Sequence, residues 1–195
     1  MTWGFFIVKS FVVTFFIITF ACAMQRLMHL LVYLKRIAHC RGFGIQSPTD
    51  YWFVRYVVNE HWPYYQYQSL GEDDDWLTRK LGRLYFRIAN WIQPQIIEAN
   101  SYQEYFHAGC QHARFGESSE LLFIDLDSDS RQSPSYIYNK VNDQSVLIVG
   151  GIRKDRLFWN DLQNDERVRV TFDLYYCGIV FFDKKRHKQN YIINF

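Results

Sequence analysis

The sequence predicts an α/β domain built around a mostly parallel β-sheet, and three observations support this fold class. Short apolar runs typical of buried strands lie at 95–99, 121–125, 145–151, 168–173, 177–182 and 191–195. Segments with helical periodicity precede or separate them, at 25–40, 49–60, 76–91 and 157–163. The last strands follow one another too closely for crossover helices, so we expect antiparallel hairpins there, with the basic run 184–188 as a turn.

The composition fits one folded domain and points to no polyanionic partner. The 195 residues are 49% apolar and 19% aromatic, which excludes a disordered chain. The net charge is only +2, so nucleic acid is not indicated as a partner. The four cysteines have no metal-type spacing and suggest buried thiols in a reducing compartment. We therefore predict no metal site and a cytoplasmic location.

The first 23 residues form a separate hydrophobic segment with three open interpretations. Residues 3–23 are largely apolar and contain one charge, Lys9. The run is about long enough to span a bilayer, and the basic residues behind it would keep the rest of the chain in the cytoplasm. It also fits a signal peptide cleaved after Ala23. In the third interpretation the protein begins at Met24, and the segment does not belong to it.

Residues 24–94 are predicted to form a helical N-terminal region. Apolar residues of 25–40 recur at helical spacing, and the basic side chains lie mostly off that stripe. The basic residues fit either a solvated helix face or a helix bound to a membrane or a partner. A second helix is expected after Ser47, because serine suits an N-cap and Pro48 suits the first turn.

Four segments carry a resemblance that covers most of 24–195. They are the helix and strand at 84–99, the strand 122–125, the strand 145–152 and the closing pair of strands at 170–182. In this order they resemble class I S-adenosylmethionine-dependent methyltransferases. The Gly-Ile-Gln-Ser-Pro segment at 44–48 is similar to a Gly-Ile-His-Ser-Pro segment of a bacterial subgroup of that family. The resemblance implies a Rossmann-like methyltransferase core at 95–195, with 24–94 as a helical extension.

The resemblance also implies where a site would lie. Glu98 ends the first strand, as the acidic residue of the family does, so Glu98 and Asn100 are the candidate cofactor-binding residues. Asp125 is the candidate catalytic residue, because the family's fourth strand ends in an Asp near the substrate. An active protein of this family would use S-adenosylmethionine as its cofactor.

The chain departs from the family pattern around these positions. No glycine follows Glu98 until Gly109, and Tyr102 stands where a glycine-rich turn would let the backbone approach a ligand. Only 27 residues separate Glu98 from Asp125, so we predict that one or two strands are missing, together with the acid that binds ribose. Gly150 and Gly151 replace a carboxylate pair that the family often has at that strand end.

Two further clusters leave alternatives open. Asp125, Asp127 and Asp129 fit either a loop that binds a hard cation or an ordinary polar turn. Cys110 lies between His107 and His112 in the sequence, which is compatible with a thiol nucleophile and a histidine base. No third group for such a catalytic pair is recognisable in the sequence.

We predict a methyltransferase-like protein that is non-catalytic, a pseudoenzyme or interaction module with a protein partner or a homo-oligomeric state and no bound cofactor. Two alternatives stay open. One is an active S-adenosylmethionine-dependent methyltransferase that acts on an unknown small molecule. The other is an interaction protein anchored in the inner membrane through residues 1–23, with its domain in the cytoplasm.

Overall fold

The computed structural model describes residues 23–24, 26–117, 120–126 and 134–195. Most of the hydrophobic segment 1–23, together with Asp127 and Asp129, lies outside these residues, so the interpretations of both stay open. The chain divides into two compact units, Met1–Ala38 and His39–Phe195. Among the described residues, no helix combines the length and the apolar character that a membrane span requires. In the first unit, residues 26–35 form helix α1.

The second unit is a mixed α/β structure with a mostly parallel sheet, which confirms the predicted fold class and is compatible with a Rossmann-like fold. Its strands are β1 (Ile96–Glu98), β2 (Arg114–Phe115), β3 (Leu121–Asp125), β4 (Val146–Gly150), β5 (Val170–Asp173), β6 (Cys177–Phe181) and β7 (Gln189–Ile192). In the sheet their order is β2-β1-β3-β4-β6-β5-β7. Among these seven strands, β6 alone runs opposite to the others, since it pairs antiparallel with both β4 and β5.

The α-helices of this unit are α2 (Pro48–Phe53), α3 (Trp76–Ile92), α4 (Gln103–Gly109), α5 (Pro134–Lys140) and α6 (Arg156–Asn164). Three of them, α2, α3 and α6, begin at a residue whose side chain caps the helix. The Asp75 carboxylate accepts the backbone N–H groups of Leu77 and Thr78 at 2.7 and 3.0 Å, which fixes the start of α3. Gln93 adopts a left-handed conformation, and Pro94 prevents continuation of the helix.

Two hydrophobic cores cover the two faces of the sheet. One core packs α2, α3 and α4 against alternate strand residues, among them Phe123 and Ile179. The other core packs α5 and α6 against the residues between them, with Trp159 fully buried. Each fully buried large side chain contributes about 1.5–3 kcal/mol to folding. This two-sided burial explains why the strands are near-continuous apolar runs.

The C-terminal strand corrects one expectation. The last strand was expected to form an antiparallel hairpin, but β7 pairs in parallel with β5. Both edges of β6 are already occupied, by β4 and by β5, so the chain after β6 must pass β5 to reach a free edge. Because β6 and β7 run in opposite directions, the chain only has to turn back after β6, and this connection needs no crossover helix.

The segment between Glu98 and Asp125 contains one short strand that the sequence analysis did not identify. Its elements are the seven-residue helix α4 and the two-residue strand β2, which pairs in parallel with β1. Strand β2 escaped prediction because Arg114 and Phe115 form no apolar run and are both exposed. The prediction that one or two strands of the family's sheet are missing here stays a prediction.

A buried ion pair joins the beginning of this unit to its end. Asp50 lies in the first turn of α2, and its carboxylate is 3.1 Å from the Arg186 guanidinium. The Tyr191 hydroxyl donates a hydrogen bond of 3.1 Å to the other carboxylate oxygen. The Asp50 side chain is only 3% exposed and that of Arg186 is 17% exposed. A second link between the two ends of the unit is an isolated parallel bridge between Cys40 and Asn194.

Candidate functional site

The sheet topology places a candidate site at the carboxyl ends of β1 and β3. The chain leaves β1 in one direction to form β2, and then continues on the other side of β1 with β3. In open α/β sheets, ligands bind in the crevice outside the carboxyl ends of strands at such a switch point. Glu98 and Asp125 occupy these two ends, as the sequence predicted.

The Glu98 carboxylate is held by two residues of α5. Lys140 Nζ lies 3.1 Å from Glu98 Oε1 and 3.0 Å from Oε2. The Tyr136 hydroxyl donates a hydrogen bond of 2.6 Å to Oε1 and also contacts Lys140 Nζ. The side chains of Glu98 and Lys140 are only 15% and 18% exposed. A ligand hydroxyl that bound Glu98 would therefore have to displace an ammonium group.

The contacts among Glu98, Tyr136 and Lys140 keep the phenol protonated and the ammonium group charged. The hydrogen bond to Glu98 raises the pKa of Tyr136 above its ordinary value, so the phenol stays protonated as a donor. Burial by itself would lower the pKa of Lys140, but the hydrogen bonds to Tyr136 and Glu98 outweigh it and raise the pKa. Lys140 therefore stays charged at neutral pH, and nothing in the cluster is arranged as a free base.

The turn after β1 is filled by an aromatic side chain. Tyr102 has a φ of 58°, a left-handed conformation that favours glycine. Its ring packs against those of Tyr85 and Phe123, with centroids 4.9 and 5.7 Å away. Burial raises the pKa of Tyr102 to about 12. The backbone bends here as a glycine turn would, but the space beside it contains a ring instead of room for a ligand.

Glu98 and Asp125 lie on opposite faces of the sheet. Glu98 is level with Leu122, which belongs to the core under α5 and α6. Asp125 follows Phe123 by two residues and shares the other face, under α3 and α4. A methyl group added at Gly150 would lie 3.2 Å from the Phe123 ring and 3.3 Å from Asp125 Oδ1, which agrees with this placement. Asn100 is exposed in the turn after β1.

The Cys110, His107 and His112 side chains show no catalytic arrangement. Cys110 Sγ is 3.5 Å from His112 Nε2, but it also contacts the Pro94 carbonyl at 3.4 Å. Burial raises the pKa of Cys110, whereas a thiol nucleophile needs a lowered one. His107 lies instead against Phe115, with ring centroids 6.5 Å apart. Within the described residues, no three His, Cys, Asp or Glu side chains converge as metal ligands would.

The sequence analysis did not identify Tyr136 and Lys140, which bind the Glu98 carboxylate at the candidate site. Their spacing of four places both side chains on one face of α5, and that spacing was the available signal. The sequence does not specify which carboxylate they meet, because Glu98 is 42 residues from Lys140.

A second unusual lysine lies on α3. Lys80 Nζ is 4.9 Å from the Trp76 ring centroid and 4.5 Å from that of Phe195, an arrangement typical of a cation–π contact. Burial lowers the pKa of Lys80 from 10.5 to about 8. The folded state therefore binds fewer protons than the unfolded chain between pH 8 and 10.5.

We expect Lys80→Met to stabilise the protein at pH 7 by about 2 kcal/mol, since it removes a partly buried charge. The difference in free energy of unfolding between the variant and the wild type should shrink as the pH rises from 8 to 10.5, because wild-type Lys80 loses its proton over this range. A neutral amine is then buried, which costs less than burying a charge. Urea unfolding at several pH values measures the difference. The same change at the exposed Lys154 is the control for replacing a lysine by methionine. A constant difference between wild type and Lys80→Met would contradict the expectation.

In comparisons with known proteins, no family model, no curated protein and no solved structure matches the chain.

Proposed function

We propose that this chain is a non-catalytic relative of class I S-adenosylmethionine-dependent methyltransferases and acts as an interaction module. The observation that carries this proposal is the Glu98–Lys140 ion pair at the switch point of the sheet. Lys140 Nζ contacts both carboxylate oxygens, so the acid implied to bind the cofactor already has an internal partner. An ion pair this enclosed is costly to break, because it leaves a charge without compensation.

The turn after β1 supports the same proposal. A cofactor bound at this position needs close approach of the backbone, which a side chain at the bend prevents. Tyr102 provides such a side chain, and its contacts with Tyr85 and Phe123 anchor the ring. Removing the ring to admit a ligand would open a cavity among aromatic side chains, at a cost of about 3–5 kcal/mol.

The placement of Asp125 supports it further. A carboxylate that acts as a base must reach the substrate beside the bound cofactor. Here Glu98 and Asp125 project from opposite faces of the sheet, so a ligand held by the first does not lie against the second. The strand end at Gly150 offers no second carboxylate on the Asp125 face.

Calorimetric titration of the full chain with S-adenosylmethionine and S-adenosylhomocysteine tests the proposal. We expect no binding at millimolar ligand, and no thermal shift in a parallel measurement. A bound ligand at a hundred times its Kd would stabilise the protein by about 2.7 kcal/mol, which a thermal shift detects readily.

Two variants sharpen the outcome. Micromolar binding by the wild type that is lost in Glu98→Gln would overturn the proposal and indicate an active methyltransferase. If only the double variant Lys140→Met, Tyr136→Phe binds, the internal ion pair is what closes the site. Lys154→Met, which removes an exposed lysine instead, is the matched control and should behave as the wild type does.

A further inference from the structure

Charged residues are distributed unevenly along the chain, because its acidic residues all lie after residue 49. Residues 1–49 contain five Lys and Arg residues and no Asp or Glu. Residues 50–195 contain 17 basic and 20 acidic residues. Such an asymmetry indicates a basic segment that binds an anionic partner, although the whole chain is nearly neutral.

The helix in this basic segment presents apolar side chains to solvent. Leu27, Leu30, Leu31 and Leu34 follow the spacing of one helix face, and each is 44–53% exposed. Ile37, just beyond α1, is 57% exposed. Four leucines exposed along one stripe form a continuous apolar surface, which a solvated helix would not carry.

The basic side chains lie outside the leucine stripe. At about 100° per residue, Arg26 and Lys35 flank the stripe on its two sides, and Arg36, just beyond α1, lies opposite it. A helix with a leucine stripe between basic residues and no acidic residue is typical of segments that lie in the interface of an anionic bilayer. Nucleic acid would match the basic residues but would leave the leucines in water.

We propose that residues 26–37 bind the surface of a bilayer containing anionic phospholipid, with the leucines among the acyl chains and the basic residues among the headgroups. Three basic residues near an anionic surface raise affinity over a zwitterionic surface on the order of a hundredfold. The proposal concerns the described helix and holds for each interpretation of residues 1–23, since 26–37 follow Ala23.

Hydrogen exchange of the full chain, read by mass spectrometry on residues 26–38, tests this proposal. The two conditions are vesicles of phosphatidylcholine with about a third phosphatidylglycerol, and vesicles of phosphatidylcholine alone. We expect exchange in 26–38 to slow about tenfold or more on the anionic vesicles only. This local measurement reports on the helix itself, whatever residues 1–23 do in the same membrane.

Variants distinguish the contributions of charge and apolar surface. The triple variant Arg26→Gln, Lys35→Gln, Arg36→Gln should lose the protection, and so should Leu30→Gln with Leu34→Gln. The matched control removes three charges from the second unit, at Lys184, Lys185 and Lys188, and should keep the protection. Unchanged exchange in α3 verifies that each variant is folded.

Three outcomes would overturn the proposal. The first is equal protection of 26–38 on both kinds of vesicle, and the second is none on either. The third is protection without lipid that grows with protein concentration, which would indicate that a second copy of the chain covers the helix.

Discussion

Replacing Asp50 by Ala should destabilise the protein by about 3 kcal/mol, because the Arg186 guanidinium, in a poorly hydrated site, then keeps only the more exposed Asp183 carboxylate, 3.6 Å away. The change also removes the acceptor for the Tyr191 hydroxyl, whose pKa is raised to about 12 by burial and by the nearby carboxylate. The free energy of unfolding from urea titration measures the loss. Asp50→Asn keeps an acceptor but no charge, and should lose less than Asp50→Ala.

The control for this prediction is an exposed ion pair of similar length. Lys184 Nζ and Asp143 Oδ1 are 3.0 Å apart, but both side chains are more than half exposed. Asp143→Ala should cost at most about 1 kcal/mol, because water screens such pairs. If Asp50→Ala and Asp143→Ala cost the same, burial does not govern the contribution of the Asp50–Arg186 pair.

Gly178→Ala should destabilise the protein by about 3 kcal/mol, because the new methyl group would overlap a rigid, buried ring. A Cβ at this position would lie 2.2 and 2.3 Å from two carbons of Trp159. Trp159 is fully buried between α6 and the sheet, so it has nowhere to move. Thermal unfolding, or the urea midpoint at an unchanged slope, measures the effect.

A control and a rescue separate this overlap from the conformational effect of losing a glycine. At the exposed Gly116, an added Cβ meets only Ile96, at 3.9 Å, so Gly116→Ala should be nearly neutral. Trp159→Leu makes room for the methyl group, so the double variant should cost at least about 1 kcal/mol less than the sum of its two single changes. Additive costs would mean that the two side chains do not interfere.

The central strands were predictable from the sequence because they are buried on both faces. The runs at 121–125 and 145–151 contain β3 and β4 within one residue at each end. By contrast, β2 pairs with β1 alone among the described strands and exposes both of its residues, so it leaves no hydrophobic pattern. For α5 the signal was similarly weak, because Ile137 is its one fully buried residue among those described.

The strand ends at Glu98 and Asp125 were predictable, but the contacts of these two residues were not. The strand ends identified Glu98 and Asp125, since both are acidic residues directly after apolar runs. Their separation onto two faces depends on the register between β1 and β3, which neither strand specifies alone. The contact between Glu98 and Lys140 depends on where α5 packs, which is a tertiary property.

The link between Asp50 and Arg186 has a consequence for biosynthesis. The two residues are 136 positions apart, and Cys40 meets Asn194 across a still longer stretch of chain. Because a ribosome makes the C-terminus last, α2 emerges long before its ionic partner exists. Phe53 and Val54, fully buried in the finished protein, stay exposed to solvent until then. The second unit therefore forms these contacts only after residues 186 and 194 have been synthesised, and a message truncated before codon 186 yields a chain in which Asp50 lacks its ionic partner.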